Sequence, residues 1–180
     1  MKAHALAVVV VILAGGHVDA NPRRAGFTAE VGVGIGHHQV VQGYDSKRSF
    51  EAFGVMPFAF SLGRFVTEEF AIVMSSTTSL FRHDRGDGAR FYLGQYLGVG
   101  VEYWLRADLA LGATGGLDVL MTSPVENHLA RSVGLALRGK WTPTPQRASG
   151  LHLIWELNGG VYLTYEVVVT SSLLAAWQWY

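Results

Sequence analysis

The stretch Gly98–Gly116, "GVGVEYWLRADLALGATGG", contains two runs in which large apolar residues occupy every second position. In the first run, apolar residues at 99, 101, 103 and 105 alternate with two glycines and a glutamate. A helix has a period of 3.6 residues, whereas a period of two is the mark of a strand with two unlike faces. The polar segment "RAD" at 106–108 separates the runs. The stretch therefore predicts two antiparallel strands joined by a tight turn.

The same alternation recurs at 26–38, 130–142 and 150–161. One face carries leucine, valine, isoleucine and aromatic residues, and the other carries glycine, alanine, serine, threonine and scattered charges. Apolar-out, polar-in alternation over segments of about ten residues is typical of a transmembrane β-barrel. Small residues also suit the crowded interior of a narrow barrel. We therefore predict an all-β fold, an eight-stranded antiparallel up-and-down transmembrane β-barrel.

Aromatic residues at predicted strand ends support the count of eight. Phe65, Trp104 and Trp141 lie 39 and 37 residues apart, which puts the next one near position 179, where Trp179 stands. Four such hairpin units give eight strands. The strand over 50–65 is the least well specified, because "FEAFGVMPFAF" is apolar at both parities and contains a proline. The predicted strands are 26–38, 50–65, 70–80, 91–105, 109–121, 130–142, 150–161 and 166–180.

The connections between these strands are predicted to alternate in length. Short turns are expected at 66–69 and 106–108, and longer polar loops at 39–49, 81–90 and 122–129. Outer-membrane barrels have short turns at one rim and long loops at the other. We expect the three long loops to face outside and to be the places where the protein contacts a surface partner.

The N-terminus has the layout of a secretory signal peptide. Lys2 is followed by an apolar run over 5–14 and by small residues up to Ala20. A membrane-spanning helix needs about 20 apolar residues, which is more than this run provides. We expect residues 1–20 to be cleaved and residues 21–180 to form the barrel domain. No later stretch is long enough for a membrane helix.

Composition excludes several classes of function. Lysine plus arginine and aspartate plus glutamate are 14 each, so the formal charge is zero. Nucleic-acid-binding domains usually have a strongly basic surface, and we expect no nucleic-acid partner. The chain has no cysteine, which excludes disulfides, thiolate catalysis and cysteine–zinc sites. No motif indicates a cofactor, and none is expected.

These features together resemble the small eight-stranded outer-membrane barrels of Gram-negative bacteria, some of which are described as porin-like. The resemblance rests on the signal peptide, the "GVGVEYWLRADLALGATGG" hairpin and the aromatic last residue, and it covers residues 26–180. It implies an outer-membrane location, contact with outer-membrane lipid, and recognition of the C-terminal strand by the barrel-assembly machinery. One departure is Gln178, which interrupts the alternation counted back from Tyr180. Counting back from Trp179 gives a clean apolar series.

The charged residues of the small-residue face are expected to meet inside the barrel. Unpaired buried charge is costly, so we expect them to neutralise one another in a hydrogen-bonded network. The alternative is a narrow, gated ion path. The predicted lumen network consists of Glu30, Glu102, Asp118, Arg138, Lys140, His152 and Glu156.

Aromatic side chains near strand ends are expected to face lipid at the membrane interface, where amphipathic rings are favoured. The predicted interface aromatics are Phe65, Tyr103, Trp104, Trp141, Trp177, Trp179 and Tyr180.

Three short segments offer candidate chemistry, and none has a recognisable catalytic pattern. His37 and His38 are adjacent, and adjacent strand residues face opposite ways, so they are not expected to share a metal. Residues 85–87 spell the adhesion tripeptide Arg-Gly-Asp, which arises easily by chance in a polar loop. A lipid hydrolase would need a histidine, serine and acid cluster. The candidates for such a cluster are His83 with Asp84, or His128 with Glu126 and Ser123.

The sequence therefore predicts an integral outer-membrane barrel with a structural or surface-interaction role and no catalytic residue. Two alternatives stay open. A lipid-modifying outer-membrane enzyme would need a catalytic cluster at one rim. A secreted soluble barrel that carries a small hydrophobic ligand would need the opposite parity, with a polar exterior.

Overall fold

The computed structural model describes residues 24–42, 50–85, 88–123, 129–143, 149–162 and 166–180. Each strand pairs antiparallel with the next, and β1 pairs with β8, so the sheet closes into an eight-stranded barrel. The predicted fold class is confirmed. Among the described residues, no helix is long and apolar enough to cross a membrane. The strands are β1 Gly26–Gln42, β2 Phe50–Phe65, β3 Phe70–Arg85, β4 Gly88–Arg106, β5 Leu109–Ser123, β6 Leu129–Trp141, β7 Ser149–Tyr162 and β8 Glu166–Trp179.

The alternation in sequence becomes an apolar exterior and a polar interior. On β1, Val33 and Ile35 are 57% and 63% exposed, whereas Glu30 is 3% exposed. Successive strand residues point to opposite faces, so one parity sends most of the large apolar side chains outward. Closure pairs the two edge strands, which leaves no open sheet edge.

Strand β2 contains an irregularity at Pro57 that explains its ambiguous sequence pattern. Its pairing with β3 shifts register between Val55 and Phe58. Met56 and Ala59 both point inward, while Pro57 and Phe58 between them are exposed. Proline cannot donate to the ladder and is therefore found at bulges. The inward parity changes at this point, which is why apolar residues occupy both parities.

The two ends of the barrel carry different connections. One end, which we call the turn rim, carries the turns 66–69 and 107–108 and both ends of the described chain, Arg24 and Tyr180. We call the opposite end the loop rim. The predicted loop over 81–90 is wrong. Strand β3 continues to Arg85, which pairs with Gly88 at the start of β4. The reason is that Phe81 keeps the inward parity of β3 beyond the predicted strand end.

The other two predicted loops are also shorter than expected. Strand β1 continues to Gln42, and β5 continues to Ser123. The connecting residues 43–49 and 124–128 lie outside the described residues, as do residues 1–23, which include the predicted signal peptide.

The register of the last strand is settled by its pairing with β1. Trp179 lies opposite Ala29, and Gln178 lies opposite Glu30. Trp177 and Trp179 are 42% and 46% exposed on the outer surface, while Gln178 is 2% exposed inside. Gln178 is therefore a lumen residue that keeps the alternation.

Candidate functional site in the barrel lumen

Carboxylates and cations alternate in a buried chain across the lumen. Lys140 Nζ lies 2.6 Å from Glu102 Oε2 and 2.7 Å from Glu30 Oε2. Arg138 Nη1 lies 3.4 Å from Glu30 Oε1, and Arg138 Nε donates to Glu156 Oε2. None of the five side chains is more than 6% exposed. Glu30 therefore links two ion pairs into one connected network.

The strand register brings these five residues together. Arg138 and Lys140 are two positions apart on β6, so they share the inward face. Glu156 on β7 lies directly opposite Arg138. Glu102 on β4 and Glu30 on β1 both reach Lys140 across the lumen, and Glu30 also reaches Arg138. Ionic pairs buried in this way are costly to break, because removing one partner leaves an uncompensated charge.

Neutral side chains complete the hydrogen bonds of this network. Gln178 Oε1 accepts a bond from Lys140 at 3.0 Å, and Gln178 Nε2 donates to Thr28 Oγ1 at 2.8 Å. Thr77 donates to Glu156 Oε1 at 3.0 Å. The sequence left the terminal register open between a count from Tyr180 and a count from Trp179, so Gln178 was not predicted as a lumen residue. Counting from Trp179 carries the correct signal.

His152 and Tyr180 form a polar and aromatic layer at the turn-rim end. His152 is fully buried, with Nδ1 2.6 Å from Thr142 Oγ1 and Nε2 3.2 Å from the Tyr180 hydroxyl. The Tyr180 ring packs edge-on against Trp104, with centroids 5.9 Å apart. Burial raises the pKa of the Tyr180 hydroxyl to about 12, so the phenol is neutral at physiological pH.

Arg24, which precedes β1, also lies inside the barrel. Its guanidinium carbon sits 3.7 Å from the centroid of the Trp104 ring and 5.5 Å from that of Tyr180. Arg24 Nη2 donates to the Ala107 carbonyl oxygen at 2.6 Å, and the residue is 2% exposed. Sequence reasoning missed it, because an arginine just before a strand has the same pattern as a solvated rim residue.

Three predicted interface aromatics point into the lumen instead. Phe65 and Trp104 are 6% and 2% exposed, and Tyr180 packs against them. The prediction for these three is wrong because the regular spacing of strand-end aromatics does not fix their parity. Trp104 Nε1 donates to Glu102 Oε1 at 2.9 Å, so the indole takes part in the polar network. Of the predicted interface aromatics, the four that lie on the outer surface are Tyr103, Trp141, Trp177 and Trp179. Their position at the membrane interface stays a prediction.

Asp118 lies nearer the loop rim than the ion-pair chain does. It is 9% exposed on β5 and lines a cavity of about 20 Å³ together with His38 and Asn158. A cavity of this size holds about one water molecule. On its loop-rim side the His38 ring stacks on Phe81, with centroids 3.9 Å apart.

The segments with candidate chemistry form no described cluster. His37 faces outward, 3.6 Å from Glu51 Oε2, and His38 faces inward, as their adjacency predicts. Within the described ranges, no three histidine, aspartate or glutamate side chains are grouped closely enough to hold a metal ion. His83 lies on β3. Residues 86–87, Glu126 and His128, and the side chains of Asp84 and Ser123, lie outside the described part.

Comparison with known proteins gives the fold a precedent. No protein-family model and no curated protein matches the sequence. The structure of Ail, the attachment invasion locus protein of Yersinia pestis, matches with a TM-score of 0.64 and 12% identity, over 86% of this chain and 99% of that one. The chain has the fold of a small outer-membrane β-barrel.

Two more structures match the same barrel. Ail in complex with the heparin analogue sucrose octasulfate has a TM-score of 0.63 and 10% identity, over 86% of this chain and 99% of that one. Neisserial surface protein A has a TM-score of 0.61 and 16% identity, over 86% of this chain and 97% of that one. At these identities the likeness shows the barrel fold alone.

Proposed function

We propose that the protein is an integral outer-membrane β-barrel whose lumen is closed by its own side chains and whose role is a surface interaction at the loop rim. The observation that carries the proposal is the buried chain of ion pairs from Glu102 to Glu156, enclosed by an apolar exterior. The exterior suits lipid, and the buried ion pairs among the described residues support a lumen that is closed to solutes.

The exterior argues against a secreted soluble carrier. Such a barrel would keep its large apolar side chains inside and its polar ones in water. Here Phe53 and Val133 are 80% and 74% exposed, whereas Lys140 and Glu156 are buried in the lumen. In lipid this parity is favourable, because every backbone group of a closed barrel is paired and the outer belt is apolar.

The interior argues for a closed lumen. An eight-stranded barrel leaves a space just wide enough for side chains. Arg138 and Lys140 reach across that space to Glu30 and Glu102. The buried Tyr96 donates to the Thr114 carbonyl oxygen on the neighbouring strand at 2.7 Å. A solute would have to break buried ion pairs to pass.

The surface role is supported by the names of the similar barrels. Ail is named for attachment and invasion and has been solved with a heparin analogue, and the neisserial protein is named as a surface protein. For this chain we assign surface contacts to the loop rim, at the connections 43–49, 86–87 and 124–128. We expect no catalytic activity, and lipid A recovered unchanged from cells that overproduce the protein is the corresponding test.

Fractionation and conductance test the proposal. The folded protein should fractionate with outer membranes and migrate differently on gels before and after boiling, and the mature chain should begin at residue 21. In planar bilayers it should give little conductance. A soluble protein with no heat-dependent migration would refute the membrane assignment, and large, stable single-channel steps would refute the closed lumen.

A further inference from the structure

The turn-rim end of the lumen has the features of a binding site for a flat cation. The Trp104 ring presents its face at 3.7 Å to a guanidinium carbon, and the Tyr180 ring lies within 5.5 Å of the same atom. A cation over an aromatic face within about 6 Å of the centroid is attracted by the ring quadrupole, most strongly over tryptophan. The Ala107 carbonyl oxygen adds a hydrogen-bond acceptor at 2.6 Å.

The charges around the site also favour a cation. The Trp104 N–H is donated to Glu102, which places a carboxylate at the edge of the ring. Among the described residues, the linked ion pairs join three carboxylates (Glu30, Glu102 and Glu156) to two cations (Arg138 and Lys140). A third positive charge beside Trp104 balances these three carboxylates, and unbalanced buried charge is costly.

We infer that the turn rim contains a guanidinium-binding site, which the chain occupies with its own Arg24. Guanidinium is the cation that fits, because it is planar, stacks on aromatic faces and donates hydrogen bonds from a rigid fork. Arg24 precedes β1 in the chain, and its side chain enters the lumen at the turn rim, where it closes that end of the barrel. The inference rests on the proposed closed lumen and assigns the closing of its turn-rim end to one residue.

A single introduced thiol can report on this site, because the chain has no cysteine. Ala110 is fully buried in the cluster that contains Trp104 and Phe65. With Ala110→Cys in lipid nanodiscs, a small charged thiol reagent should react slowly when Arg24 is present. In the Arg24→Ala background the reaction should be at least about tenfold faster, a factor that corresponds to roughly 1.4 kcal/mol.

Chemical rescue tests the class of ligand. Ethylguanidinium should slow the reaction of the Arg24→Ala protein towards the parent rate, whereas the neutral analogue ethylurea and sodium ions should not. Arg64→Ala is the matched control, because Arg64 is an exposed arginine near the same rim with its guanidinium carbon 5.8 Å from the Phe27 ring; it should leave the rate unchanged. Folding of each variant is checked by heat-dependent migration.

The outcomes separate this inference from the proposed function. A thiol at position 110 that reacts rapidly while Arg24 is present would refute the closed lumen. A protected thiol whose rate does not change in Arg24→Ala, or equal rescue by ethylurea, would refute only the guanidinium site. If Arg24→Ala does not fold, Arg24→Lys keeps the charge without the planar fork and should show an intermediate rate that ethylguanidinium lowers. A parental rate in Arg24→Lys would refute the guanidinium preference.

Discussion

Replacing Lys140 with methionine is the most direct test of the lumen network. The ammonium is shared by Glu30, Glu102 and Gln178, at 2.7, 2.6 and 3.0 Å. In Lys140→Met, Glu30 keeps Arg138 at 3.4 Å. Glu102 keeps only the neutral N–H of Trp104. The variant therefore leaves a buried carboxylate without a bonded cation, with little change in side-chain volume.

The expected loss of unfolding free energy is about 3–5 kcal/mol, the usual cost of removing one partner from a buried ion pair. The second substitution in Lys140→Met/Glu102→Gln removes the charge left unpaired. Neutral replacement of a whole buried pair is often nearly neutral in stability. The double variant should therefore lie within about 1 kcal/mol of the parent. Lys140→Met/Glu30→Gln should recover less, because Glu30 retains a cation and Glu102 does not.

Urea unfolding of the refolded barrels in lipid vesicles measures these differences. Arg64→Met is the control, since an exposed arginine should change stability by no more than about 0.5 kcal/mol. A loss below about 1 kcal/mol for Lys140→Met, the range of exposed pairs, would show that the ion pairs do not form as described. A double variant no more stable than the single one would refute the assignment of the cost to Glu102.

Three further predictions test other parts of the barrel. Gly134→Val should lower stability by about 1–3 kcal/mol in thermal unfolding, because even a Cβ at Gly134 would lie 3.2 Å from the Tyr96 ring in the lumen. Gly115→Val is the control and should be neutral, because a Cβ at Gly115 would have no atom within 4 Å. A lipophilic thiol reagent should label Ala175→Cys, which faces outward, and spare Ala176→Cys, which is 2% exposed inside; the reverse would overturn the β8 register. Deleting Trp177–Tyr180 removes the final pairs between β8 and β1 and should block assembly, so normal outer-membrane levels of the truncated chain would contradict this.

The strands were predictable because one physical rule, alternation across a pleated sheet, acts along the whole chain. β5 was predicted over 109–121 and extends over Leu109–Ser123. β2 was predicted at its observed bounds. Which of its residues face inward was not predicted, because the bulge at Pro57 changes the inward parity and leaves no mark on the composition. The length of β3 was underestimated because polar residues near the loop rim have the composition of a loop even while they pair.

The lumen was predictable residue by residue only where parity was unambiguous. Glu30 and Glu156 sit in cleanly alternating runs, and the structure places both inside. The inward direction of Trp104 follows from the same alternation, since it stands at the parity of Glu102. Trp104 was nevertheless predicted to face lipid, because aromatic residues at strand ends are favoured at the membrane interface. Arg24 could not be predicted, because it lies before the first strand, where no periodic pattern constrains it.

The inward turn of Trp104 has a spectroscopic consequence. Of the five tryptophans, the other four lie on the outer surface, at 141, 155, 177 and 179. Brominated lipid quenches indoles that it can touch, so it should suppress those four and leave the emission of Trp104. The guanidinium carbon of Arg24 lies 3.7 Å from the centroid of that ring. The residual fluorescence in such a bilayer would report the state of the barrel interior without an added label.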